Sequence, residues 1–136
     1  MDTSKAILAG VVGTAIMTAF MMLAPFMGLP EMSPPEMMAG MIGVSVIIGW
    51  IMHFMIGIIF ALLYAGFISS MLPIHNIWIK GLAFGVIAFV LGQVGMMAMR
   101  AIFDIAGPDG NMMPMMIASL VGHIVFGIAV VRTYGR

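Results

Sequence analysis

Two histidines stand inside runs that are otherwise apolar, and their surroundings repeat. One is His53-x-x-x-Gly57-x-x-x-x-x-x-Tyr64, and the other is His123-x-x-x-Gly127-x-x-x-x-x-x-Tyr134. Small residues lie one helical turn to either side of each ring: Gly49 and Gly57 about His53, Ser119 and Gly127 about His123. An imidazole can ligate iron, copper or zinc, relay a proton, or serve as a hydrogen-bonding group. The sharpest reading is bis-histidine ligation of one b-type haem. That needs two axial nitrogens on facing helices at one depth, and small neighbours that clear room for a flat macrocycle. The plainer reading is polar glue. His53 could then bond Thr14, Thr18 or a backbone carbonyl, and His123 could bond Gln93; such interhelical bonds in membranes average roughly 0.6 kcal/mol.

Methionine is the second chemical signal, with 19 copies in 136 residues. Met32, Met37, Met38 and Met41 fall in or beside one expected loop, and Met112, Met113, Met115 and Met116 beside another. Thioethers are soft donors suited to Cu(I), so a methionine-rich outer surface could bind or pass copper. Methionine is also a flexible apolar filler; Met17, Met21, Met52 and Met55 are scattered through apolar runs without ligand spacing. Haem b and copper are therefore both open as cofactors, beside none at all.

Composition decides what must position these groups. The chain is 63% hydrophobic and 7% charged, whereas a soluble domain carries roughly a quarter charged residues. Lipid is its main solvent. Net charge is zero, without a basic patch for nucleic acid. Cysteine is absent, which excludes disulfides, Fe–S clusters and thiolate metal sites. Four apolar runs are long enough to span a bilayer, since about 20 residues suffice: Ala6 to Met27, about Met41 to Phe67, about Ile79 to Met99, and about Met112 to Val131. The first is longer than a signal-peptide core and lacks a clean cleavage site, so it reads as retained. Leu29 to Glu36, with three prolines and two acids, reads as an aqueous loop. Ser69 to Asn76 reads as a second loop, and Gly107-Pro108-Asp109-Gly110-Asn111 as a turn. Arg100 and Asp104 are spaced to pair on a helix end.

One side of this layout carries Lys5, Lys80, Arg132 and Arg136. The other carries Glu31, Glu36, Asp104 and Asp109, with Arg100 as its one basic residue. The positive-inside rule puts both termini in the cytoplasm and Tyr64 and Tyr134 at the cytoplasmic interface, where amphipathic rings form a belt. No acid lies within a span. There is no serine–histidine–acid arrangement, no His-Glu-x-x-His and no phosphate loop, so nothing points to an enzyme acting alone.

The halves of the chain resemble each other. Lys5-Ala-Ile-Leu-Ala-Gly10 aligns with Lys80-Gly-Leu-Ala-Phe-Gly85, and the same offset pairs Thr18 with Gln93. A slightly different offset pairs His53 with His123. Units of about 4–67 and 78–135 each hold two spans, so they insert the same way up as a parallel repeat. Thr14, Thr18, Gln93, His53 and His123 form the main side-chain hydrogen-bonding inventory of the inner membrane layer. Gly81, Gly85, Ala88, Gly92 and Gly95 make a smooth stripe for close helix packing, and Ala6, Gly10 and Gly13 make a shorter one.

At His-Phe-Met-Ile-Gly (53–57), Trp-Ile-Lys-Gly-Leu-Ala-Phe-Gly (78–85) and Gly-His-Ile-Val-Phe-Gly (122–127), the chain resembles small bacterial four-helix membrane proteins grouped as a domain of unknown function. The resemblance covers nearly the whole chain. It implies the four-helix topology and a bacterial inner membrane, and adds no activity. The expectation is a single all-α domain over residues 1–136: a four-transmembrane-helix bundle built from two parallel two-helix repeats. Its expected role is that of a small accessory subunit, embedded in lipid, that associates with itself or with a larger membrane complex. A haem- or copper-binding electron-transfer or metal-handling subunit is the alternative.

Overall fold

A computed structural model describes residues 1–105 and 112–135. The expected turn at 107–111, Asp109 and Arg136 lie outside the described residues. Five helices account for the fold, and no strand occurs among the described residues: α1 (Thr3–Leu23), α2 (Pro34–Ile42), α3 (Val46–Leu63), α4 (Ile77–Phe103) and α5 (Met113–Tyr134). Four segments are long and apolar enough to cross a membrane: Thr3–Met27, Val46–Met71, Ile77–Phe103 and Met113–Tyr134. The first extends α1 by a 3-10 turn over Ala24–Met27, and the second extends α3 through a π turn over Tyr64–Ile68.

Local chemistry sets the boundaries. Asp2 caps α1 by accepting from the Lys5 amide at 3.0 Å, and Asn76 caps α4 by accepting from the Trp78 and Ile79 amides at 2.9 and 3.2 Å. The largest difference from expectation is α2. Pro34 and Pro35 do not stop a helix inside an aqueous loop; they occupy the first turn of one. There a missing N–H costs nothing and a fixed φ is an advantage. Gly43, at φ 69°, ends α2 in the left-handed region. The second span therefore starts at Val46, several residues later than expected.

Glycine forms the helix seams, because bare backbones approach closely where there is no hydrophobic drive in lipid. A Cβ on Gly10 of α1 would stand 2.6 Å from Ile58 Cα of α3. One on Gly81 of α4 would stand 2.6 Å from Ile128 Cα of α5, and one on Gly85 2.5 Å from Ile124 Cα. Between α1 and α5, Gly13 meets Val130 and Phe126. Gly49 of α3 is covered by the Pro35 carbonyl of α2. The packing order is thus α3–α1–α5–α4, with α2 laid along α3; α3 and α4 share almost no close backbone seam among the described residues.

At the end that holds the termini, side chains close the α3–α4 gap. Tyr64 is fully buried, 4.7 Å from the Phe84 ring and 6.0 Å from the Tyr134 ring. The Asp2 amide donates to the Tyr134 hydroxyl at 3.3 Å, which brings the two termini to one end. The tyrosines therefore occupy the core of that end, instead of facing outward as an interfacial belt. Lys80 is buried there too, while Trp78 is exposed and carries Arg132 over its ring at 4.9 Å.

Candidate functional site

Toward the other end α3 and α4 part, and a cavity of about 420 Å³ opens between them. Every helix contributes to its wall. From α1 come Thr14, Met17 and Met21; from α2 and the segment before it Met32, Pro34, Met37 and Met38; from α3 His53, Ile56, Gly57 and Phe60. From α4 come Gly92, Gln93, Gly95, Met96, Met99 and Arg100, and from α5 and the residue before it Met112, Met115, Met116, Ser119, His123 and Phe126. Ten of the lining residues are methionines, a higher share than chain composition alone would give. Branched aliphatics such as Ile7, Leu8, Val86, Val90 and Val94 are exposed on the outer surface instead.

Most of the residues that the sequence singles out converge here. His53, His123, Gln93, Thr14, Gly57 and Ser119 all line the cavity, and so do six of the eight methionines expected at the outer loops. Met41 and Met113 do not. Gly49 packs against α2, and Gly127 fits between Gly81 and Gly85 of α4, so both glycines admit neighbouring backbone. Thr18 stands behind the wall as the partner of His53. Met17, Met21, Met96 and Met99 are wall residues that the sequence does not mark as a site. The available signal is helical spacing: Met96 and Met99 fall four and seven residues after Gly92, and Met17 and Met21 three and seven after Thr14.

The hydrogen bonds assign different states to the two rings. The Thr18 hydroxyl donates to the Thr14 carbonyl at 2.8 Å, so toward the His53 Nε2, 3.1 Å away, it acts as acceptor. His53 therefore carries its proton on Nε2 and donates it. His123 is opposite. Its Nδ1 lies 2.7 Å from the Ser119 carbonyl, which can only accept, so Nδ1 holds the proton and Nε2 keeps a lone pair. That Nε2 faces Gly92, 3.1 Å from where a Cβ would stand; glycine is what admits the ring. Phe89 packs edge-on to His123 at 5.8 Å, and Trp50 and Phe54 pack edge-on to His53 at 6.5 and 6.1 Å.

Two consequences follow for ligation. Bis-histidine binding of a haem needs a lone pair from each ring, and the Nε2 of His53 is already engaged as a donor. The arrangement leaves one imidazole nitrogen with a lone pair, that of His123, whose ring lines the cavity together with ten methionines. No cluster of three or more His, Asp or Glu side chains suited to a metal occurs among the described residues. Among those residues no carboxylate lines the cavity, and Arg100 is its one charged side chain.

The family pattern that matches residues 1–136 is that of a family of unknown function, DUF6789, and the chain belongs to that family. No curated protein and no solved structure matches the chain.

Proposed function

We propose that this member of the DUF6789 family is a small non-catalytic membrane subunit that holds a ligand in the cavity between α3 and α4. The cavity itself carries the reading. Its volume falls within the roughly 300–1,000 Å³ range of small-molecule sites, and it has the composition of one, apolar with a few convergent polar groups. The glycine stripe of α4, which could have served a partner, is largely consumed inside the chain: Gly81 and Gly85 are covered by α5 and Gly92 by His123. That favours ligand binding over a role limited to packing against other subunits. The hydrogen bond from His53 to Thr18 favours a site built on His123 over a haem held by both rings.

The test uses Gly95, which lines the cavity and has open space where a Cβ would stand. Gly95→Phe puts a ring on the cavity wall at a position whose Cβ meets nothing. Native mass spectrometry of the full chain, extracted in mild detergent, should find a bound species on the wild type and none on Gly95→Phe, with helicity unchanged. Equal occupancy in both, or none in either, sinks the reading. The termini end, with Lys5, Lys80 and Arg132, lies in the cytoplasm by the positive-inside rule. Because the chain has no cysteine, single cysteines introduced at Leu29 and Ile74 report this directly. An impermeant maleimide should label the first from outside and not the second, and the reverse pattern would invert the topology.

A further inference from the structure

We propose that the ligand of this cavity is a Cu(I) ion, held by the His123 Nε2 and by the cavity thioethers nearest to it along α4 and α5, those of Met96 and Met116; the proposal rests on the reading of the cavity as a binding chamber. Three observations converge.

The first is the donor set. Met116, Ser119 and His123 line the cavity from one face of α5, and Met115 and Met112 continue that face about 12 and 16 Å along the axis from His123, as an approach to the nitrogen and not as its co-ligands. Met96 and Met99 face the cavity from α4. Thioether and imidazole are the soft and borderline donors that select Cu(I). The His123 ring is also held ready, because its Nδ1–H bond to the Ser119 carbonyl at 2.7 Å fixes the tautomer that leaves Nε2 free. A hydrogen bond on the far nitrogen is how metal-binding imidazoles are oriented.

The second is charge. All of these donors are neutral, and no carboxylate lines the cavity among the described residues. The cost of desolvating an ion scales with the square of its charge, so a divalent cation would need compensation that the walls do not supply. A monovalent soft cation needs least. Arg100 lies eight residues beyond Gly92 on α4, about 12 Å along the axis, so its charge sits toward the α2 end and away from the nitrogen.

The third is the partition of apolar side chains. A chamber for an organic molecule is served as well by leucine, isoleucine and valine, which this chain has in quantity. They cover the lipid-facing surface, and only Ile56 and Leu91 join the ten methionines that line the cavity. The common property of the preferred residues is sulfur.

The experiment is an anaerobic titration of the detergent-purified full chain with Cu(I), in competition with a chromophoric Cu(I) chelator, followed by X-ray absorption of the loaded protein. The expected result is one Cu(I) per chain, with sulfur and one nitrogen in the first coordination sphere. His123→Leu should weaken binding by about tenfold or more and remove the nitrogen. The double variant Met96→Leu, Met116→Leu should weaken it similarly, and because leucine conserves methionine volume the fold should persist. The control is the outward triple Met22→Leu, Met55→Leu, Met97→Leu, whose residues are 69, 54 and 69% exposed; it should bind as the wild type does. Absence of saturable Cu(I) binding overturns the proposal. So does binding that survives the cavity double variant or falls with the outward triple. If Cu(I) fails while an organic species is found on the wild type and lost in Gly95→Phe, the chamber stands and its occupant is an apolar molecule. If both are absent, the binding reading falls as well.

Discussion

The two helix pairs that carry a His-x-x-x-Gly segment are packed one turn out of step. In the first pair, Gly57 of α3 sits against Gly10 and Thr14 of α1. In the second, Gly127 of α5 sits against Gly81 and Gly85 of α4. Counted in the register that sets Lys5 beside Lys80, Gly85 is the counterpart of Gly10 and Gln93 that of Thr18. The second pair has therefore slid by about four residues, close to one helical turn. The slide separates the fates of two histidines in matching segments. His53 reaches the Thr18 hydroxyl on the neighbouring helix. His123 meets Gly92 instead, makes its hydrogen bond within its own helix at Ser119, and keeps a nitrogen free. Like motifs thus yield one ring that ties helices together and one that is available for chemistry, and the helix offset decides which is which.

The harshest way to break this comparison is to undo the slide. Gly85→Leu puts a side chain where the Ile124 Cα and the His123 carbonyl stand at 2.5 and 2.6 Å. Backbone cannot yield as a flexible side-chain tip can. Overpacking ordinarily costs about 1–3 kcal/mol, and this site lies at or beyond the upper end. The expected outcome is a large loss in thermal stability in detergent, or failure to accumulate in the membrane. Gly95→Leu on the same helix meets open space and should leave stability nearly unchanged. Equal tolerance at both positions would mean that α4 and α5 do not meet in the register described.

Much of this architecture is legible in the sequence. Four spans follow from hydropathy, and the glycine stripes follow from spacing. What covers each glycine does not follow, because that depends on rotation and offset between helices, and many apolar side chains tolerate several values of both. The same ambiguity hides Met17, Met21, Met96 and Met99: a methionine suits a cavity wall and a lipid face equally well. Pro34 and Pro35 mislead for a local reason, since the residues that end one helix also begin the next. Hydropathy and charge put Tyr64 and Tyr134 at the right end of the bundle, but their rings turn inward, Tyr64 onto Phe84 and Tyr134 onto Tyr64, because the gap between α3 and α4 has to be filled there.

A smaller effect sharpens the comparison more finely. The sequence pairs Thr18 with Gln93 and offers each as a partner for the nearest histidine, yet only the Thr18 bond is present among the described residues. Thr18→Val keeps the shape and removes the acceptor of the His53 Nε2–H. Interhelical bonds of this kind average roughly 0.6 and reach about 1.7 kcal/mol in membranes, so the expected cost is about 1 kcal/mol in reversible unfolding. Gln93→Leu, at a residue that makes no bond to His123, should cost less. Nitrogen-15 shifts of the imidazoles give an independent reading. At neutral pH the wild-type rings should be opposite tautomers, with the proton on Nε2 of His53 and on Nδ1 of His123. Thr18→Val should disturb the first and leave the second in place. Should both rings carry the proton on Nε2, or should Gln93→Leu cost as much as Thr18→Val, then His123 is a second tie between helices, and the difference between the two pairs disappears together with the free nitrogen.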